Sequence, residues 1–156
     1  MNKTTWIISG LVVGAFLMHN RKAVSKWALS ARSEARMMGV KTELKEVVRL
    51  ALTYSRYDFG ITSGVRTAKE QHELYLKNAS QLDGYQRKSK HQTGDAIDFV
   101  AYDENGRVTW DFRYYETIAD AFKRAASELK TPIVWGGDWR TFKDGPHIEL
   151  ARSNTI

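Results

Sequence analysis

A chain of 156 residues, 42% of them apolar, is long enough for one domain with a real core and too apolar for a disordered tail. It has no cysteine, which excludes disulfides and thiolate metal sites, so any metal must be held by histidine and carboxylate. The formal charge of +6 favours a polyanionic partner, but the basic residues are scattered and no nucleic-acid motif is present, so nucleic acid is not expected and an anionic wall polymer fits equally well.

Residues 1–20 differ from the rest. Trp6 to Met18 is apolar apart from Ser9, lies between Lys3 and Arg21-Lys22, and is short of the roughly 30 Å hydrocarbon core of a bilayer. It reads as a marginal signal-anchor-like segment, a membrane tether through residues 4–18, with a cleaved signal peptide or a helix buried against a partner as alternatives. Gly10 and Gly14 add a small-residue spacing. Arg21, Lys22, Lys26, Arg32 and Arg36 follow it, so the positive-inside tendency opposes export, while Ala23-Val24-Ser25 is a candidate cleavage site. Residues 21–41 read as a basic linker, with Leu29 and Met37-Met38-Gly39-Val40 making first contact with the domain proper, 42–156.

Thr42 is the expected N-cap of a helix with Glu43 and Glu46 in its first turn, and Leu44, Val47, Val48 and Ala51 recur at helical spacing to about Tyr54. Phe59 to Arg66 reads as a strand ending in a glycine turn, and Thr67-x-x-Glu70 is a capping box for a helix to about Asn78 that turns Leu74 and Tyr75 inward and leaves His72 exposed. Arg66 stands at that strand-to-helix junction, by default a surface residue. Ser80 to Lys90 is polar and reads as a mobile loop over a cleft mouth, with Arg87, Lys88 and Lys90 as a solvated face; Ser89 is placed to cap or orient the turn that follows.

His91 and Asp98 are seven residues apart, about 10 Å along a helix and about 23 Å along a strand, so for both to touch one ion the chain must fold back. Gly94 allows that turn, and the strand after it sets Ala96 and Asp98 on one face, Ile97 and Phe99 on the other. Asp103-Glu104-Asn105-Gly106 is a hairpin signal, with Arg107 to Trp110 returning antiparallel. Tyr115, Ile118, Ala119, Phe122, Ala126 and Leu129 mark a long amphipathic helix that Pro132 stops, and Ile133 to Trp135 begins another strand. Gly136-Gly137 lets backbone approach a ligand closely, with Trp135 and Trp139 as candidate walls. After Pro146, Ile148 and Leu150 mark a short strand on which His147 and Glu149 share the opposite face.

His91, Asp98 and His147 make a three-ligand set with a fourth position left for water, the pattern of catalytic zinc. Asp144, on the loop before His147, is the candidate base for that water, and Glu149 the alternative. On the residues alone a plainer reading stands beside it. Two histidines and scattered carboxylates are often ordinary core or surface groups, and a glycine turn is often flanked by core tryptophans.

The run Ser89-x-His91-x-x-Gly94-x-Ala96-x-Asp98, followed far downstream by Asp144-x-Pro146-His147-x-Glu149, resembles the zinc D-Ala-D-Ala carboxypeptidase and L-Ala-D-Glu endopeptidase family. Trp135-Gly136-Gly137-Asp138-Trp139 resembles its L-Ala-D-Glu endopeptidase branch, which includes phage endolysins, and the match runs from about Ser33 to Leu150. The order of elements predicts an α+β fold, a small antiparallel sheet packed by helices, and the resemblance implies the hedgehog-like D-Ala-D-Ala peptidase architecture.

The resemblance further implies Zn2+ on His91, Asp98 and His147, Asp144 as base, and Arg66 steadying the developing oxyanion; Ser89, Trp135, Gly137 and Trp139 are the candidate substrate contacts. The substrate would be a peptidoglycan stem peptide, cut at L-Ala-D-Glu in endolysin-like wall lysis. The enzyme would be a monomer of the periplasm or cell wall, with the cytoplasm of an infected bacterium until lysis as the alternative. The apolar segment resembles the signal-anchor-release segments of some phage endolysins. The functional alternatives are a D-Ala-D-Ala carboxypeptidase or dipeptidase on the same scaffold and a non-catalytic zinc-bearing wall-binding module.

Overall fold

The computed structural model describes residues 26–151. The apolar segment 1–20, its tether at 4–18 and the candidate cleavage site lie outside the described residues; among those described, no helix is long and apolar enough to cross a membrane. In chain order the elements are α1 (Ala31–Arg36), α2 (Thr42–Tyr54), β1 (Phe59–Ser63), α3 (Ala68–Leu76), a 3₁₀ turn (Lys90–Thr93), β2 (Ala96–Tyr102), β3 (Val108–Thr109), α4 (Phe112–Glu128), β4 (Ile133–Trp135), a second 3₁₀ turn (Gly136–Asp138) and β5 (His147–Leu150). The strands form one antiparallel sheet in the order β1-β2-β5-β4, with β3 paired to β2, and the fold is α+β as expected.

Period-two alternation gives the sheet two chemically different faces. Ile97, Phe99 and Ala101 of β2 and Ile148 and Leu150 of β5 enter the core, where Phe99 meets Phe59, Tyr115 and Phe122 at ring separations of 5.8, 5.3 and 5.4 Å. α4 covers this face, and α2 packs on α4 through Leu44, Val47, Val48, Ala51 and Leu52. Asp98, His147 and Glu149 project from the other face. The apolar packing thus dictates which side chains are left to do chemistry.

The stretch expected as a linker is folded from Ala31 onward. Ser33 Oγ accepts from Ile61 N at 3.1 Å, Arg36 Nη1 donates to Ile61 O at 2.9 Å, and Met37 and Val40 are core residues. The N-cap of the next helix falls one residue before the expected Thr42. Lys41 occupies the N-cap position, its N–H donating to Gly94 O at 2.9 Å and its ammonium pairing with Asp95 at 2.6 Å, while Thr42 is the first helical residue.

α3 departs from expectation because it lies beside the polar face of the sheet rather than over the apolar core. Its capping box forms between Thr67 and Glu70, but Tyr75 is 38% exposed and Gln71 is the residue fully buried. Gln71 Nε2 donates to Ser80 Oγ at 2.8 Å and Leu82 O at 2.9 Å, and Gln92 Nε2 donates to Gly84 O at 2.8 Å. The loop expected to be mobile is therefore tied to the domain at several points. His72 is tied in as well, donating from Nδ1 to Asp83 O at 2.9 Å. The return strand β3 is two residues long, and Asp103 holds its turn by accepting from Asn105 N and Arg107 N.

Candidate metal centre and active-site cleft

The register of β2 against β5 sets Asp98 opposite His147, so the two side chains rise from one face about 5 Å apart at Cβ. His91 arrives from the 3₁₀ turn above them. Ser89 caps that turn, its Oγ accepting from His91 N at 3.3 Å and its N–H donating to Gln92 Oε1 at 2.9 Å. Gly94 ends it at φ 72°, a left-handed conformation that L side chains rarely take, and a Cβ there would come within 2.5 Å of Gly39 O. The fold-back required by the spacing of His91 and Asp98 is made at this glycine.

The three ligand atoms form a nearly equilateral triangle. His91 Nε2 and His147 Nδ1 each lie 3.2 Å from Asp98 Oδ1, and 3.3 Å from each other. Metal bonds of about 2.0–2.1 Å in tetrahedral geometry put neighbouring ligand atoms roughly 3.3 Å apart. The triangle is thus one face of such a tetrahedron.

The ring protons point to the same conclusion. His91 Nδ1 lies 2.8 Å from Gly64 O, which can only accept, so that nitrogen carries the hydrogen and Nε2 offers a lone pair. His147 Nε2 lies 3.0 Å from Glu149 Oε2, which likewise fixes a hydrogen there and turns the Nδ1 lone pair inward. Burial opposes charge on Asp98, yet hydrogen bonds to His147 and His91 hold its carboxyl far below the ordinary range. Burial also disfavours a charged His147, but Asp98 and Glu149 together push its pKa up to about 9. Two imidazole lone pairs and a carboxylate oxygen thus face one another, and a divalent cation suits that place. The donor set, two imidazoles and a carboxylate, fits zinc.

The triangle opens into a cleft of about 530 Å³ lined by Arg66, Trp139, Asp144 and Glu149 among others. Arg66 is held there by both ends of its fork, Nη1 donating to Gln71 Oε1 at 2.8 Å and Nη2 to Ser63 Oγ and Asp98 Oδ2, each at 3.1 Å. Asp144 is seated by its backbone, N–H to Gly136 O at 3.0 Å and O to His147 N at 3.2 Å. Its carboxyl is pushed up by burial and by the charge of Asp98. Glu149 shares the face of His147 as expected, but it is occupied with His147 Nε2, an orienting contact.

Two of the four candidate substrate contacts sit elsewhere. Trp135 is 5% exposed, donates from Nε1 to Gly145 O at 2.7 Å and stacks on Phe112 at 5.5 Å, so it belongs to the packing under the cleft. Gly137 is needed by that indole, since a Cβ would lie 2.3 Å from the ring, and Gly136 is needed by Asp144, whose O would lie 2.4 Å from a Cβ. The close approach expected of the glycine pair is made to protein atoms. Trp139 does line the cleft, its ring 5.1 Å from that of His147, and Ser89 lines it while capping the turn.

Two functional groups escaped the sequence reading. Gly64 O has no side-chain signature. Gln71, which holds Arg66, sat unremarked between Glu70 and His72, although its spacing of three from Leu74 puts both on one helix face.

Such an arrangement defines an α+β domain with a His-Asp-His cluster that could hold a metal ion, open to a cleft. The chain belongs to the phage L-alanyl-D-glutamate peptidase family, whose model matches residues 25–151. The L-alanyl-D-glutamate peptidase of Escherichia phage T5 is 38% identical over 130 residues, 76% of this chain and 93% of that protein. The peptidoglycan L-alanyl-D-glutamate endopeptidase CwlK of Bacillus subtilis (strain 168) is 33% identical over 113 residues, 67% of this chain and 68% of that protein. The crystal structure of the Serratia marcescens L-Ala D-Glu endopeptidase ChiX superposes with a TM-score of 0.72 at 42% identity, covering 80% of this chain and 90% of that one.

Glu149→Gln tests the orienting contact. An amide can still meet His147 Nε2 but no longer adds negative charge behind the ring, so zinc affinity is expected to fall about 10- to 100-fold, read by competition with a chelating dye.

Proposed function

We propose that this chain is a zinc-dependent peptidoglycan endopeptidase that hydrolyses the L-Ala-D-Glu bond of a stem peptide, in lysis of the bacterial wall. The observation that carries the reading is the triangle of His91 Nε2, Asp98 Oδ1 and His147 Nδ1, with both imidazole lone pairs turned inward by Gly64 O and Glu149. Family membership supports the peptide bond as the target. Zinc held by these residues would supply a Lewis acid and make water nucleophilic at neutral pH.

The chain's own residues do the rest. Asp144 takes a proton from the attacking water as the C–O bond forms at the alanyl carbonyl, and returns it to the glutamyl nitrogen as the C–N bond breaks. Arg66 locks Asp98 through Nη2, and its guanidinium charge on the cleft wall steadies the carbonyl oxygen on which charge develops. Trp139 borders the cleft beside His147 and limits the access of bulk water.

The full chain, incubated with purified sacculi, is expected to release new L-Ala carboxyl and D-Glu amino ends seen by mass spectrometry. A chelator should abolish the release and added zinc restore it. Cut glycan strands with intact stem peptides would refute the reading, as would cleavage confined to the D-Ala-D-Ala end.

A further inference from the structure

The cleft has two unlike sides. Lys88, Ser89 and Lys90 line it where the chain enters the His91 turn, and Trp139 and Phe142 line it from the loop before Asp144. Its cations are not equivalent. Arg66 is committed to Asp98, and Lys90 Nζ donates to Leu150 O at 3.1 Å. Lys88 makes no ion pair or side-chain hydrogen bond among the described residues, while its neighbour Arg87 turns to Asp83 at 3.7 Å. Lys88 stands three positions before His91, so its Cα lies within about 11 Å of that of the candidate ligand. An ammonium without a protein partner among the described residues therefore stands on the cleft wall, next to the turn that carries His91.

The substrate class supplies the matching charge. A glutamyl residue whose nitrogen is in the scissile amide carries two further carboxyls. Whichever of them continues the peptide, the other stays an anion a few bonds from the cut. The wall of Trp139 and Phe142 offers a carboxylate no cation, and the alanyl side has only a methyl group. Resting on the peptidase reading, we propose that Lys88 binds this free glutamyl carboxylate and so sets the direction in which the stem peptide lies across the centre.

The test uses two stem peptides that differ only at that group, free carboxylate or carboxamide. Their binding to the zinc-loaded full chain is measured by calorimetry with Asp144→Asn present so that neither is consumed. The acid should bind about fivefold or more tighter than the amide. Adding Lys88→Met should bring the ratio to within about twofold of one without weakening the amide, Lys88→Arg should restore it, and Lys90→Met should leave it unchanged. A ratio that Lys88→Met does not move, one that Lys90→Met abolishes instead, or failure of both peptides to bind overturns the assignment. Hydrolysis by the chain with Asp144 intact is scored separately, so its absence counts against the peptidase reading and an unmoved ratio counts against Lys88.

Discussion

Asp98→Ala is expected to strip the protein of zinc and to remove at least about a thousandfold of its activity. Asp98 is the only carboxylate in the triangle, and one of its oxygens serves both histidines while the other takes Arg66. Without it, two neutral imidazoles remain for the cation, and Arg66 keeps only Ser63 and Gln71 as partners for a largely buried charge. Loss of stability is therefore expected beside loss of metal, and the two need separating. Asp98→Asn does this, because the amide retains the shape and can still meet Arg66 through its oxygen while offering the ion no charge. Elemental analysis of both purified variants, with melting temperatures, is the measurement. A folded Asp98→Asn protein that keeps one zinc per chain and wild-type hydrolysis would show that the three side chains converge for some other reason.

What was legible in the sequence follows from which contacts have a periodic or side-chain signature. The alternation from Ala96 to Val100 told which way Asp98 faces, and the alternation of Ile148 and Leu150 told the same of His147; pairing β2 with β5 then brought the two together. The capping box at Thr67 is a local interaction and formed as written. Tertiary contacts overrode local signals elsewhere. Lys41 displaced Thr42 as the cap because Gly94 and Asp95 hold it. Trp135 looked like a wall beside the glycines, but its indole faces Gly145 and Phe112, a fact that depends on where α4 begins. Gly64 O, the partner that fixes the tautomer of His91, belongs to backbone and is invisible until the chain is folded.

Asp144→Asn is expected to separate binding of the metal from chemistry. Asp144 lies outside the ligand triangle, and its place is set by backbone bonds to Gly136 and His147 that an asparagine makes equally well. Zinc content and melting temperature should therefore match the wild-type protein. The amide cannot take a proton from water, and the expected loss is about 10²- to 10⁴-fold in kcat, with KM little changed. Burial and the charge of Asp98 raise the affinity of this carboxyl for a proton, the direction that suits a group which must hold the proton before handing it to the leaving amine. Glu149, the other candidate, is tied to His147, so Glu149→Gln should lower activity chiefly through metal occupancy and recover at saturating zinc. If Asp144→Asn retained wild-type kcat while Glu149→Gln stayed inactive with zinc fully bound, the base would be Glu149, and the contact to His147 would have to open during turnover.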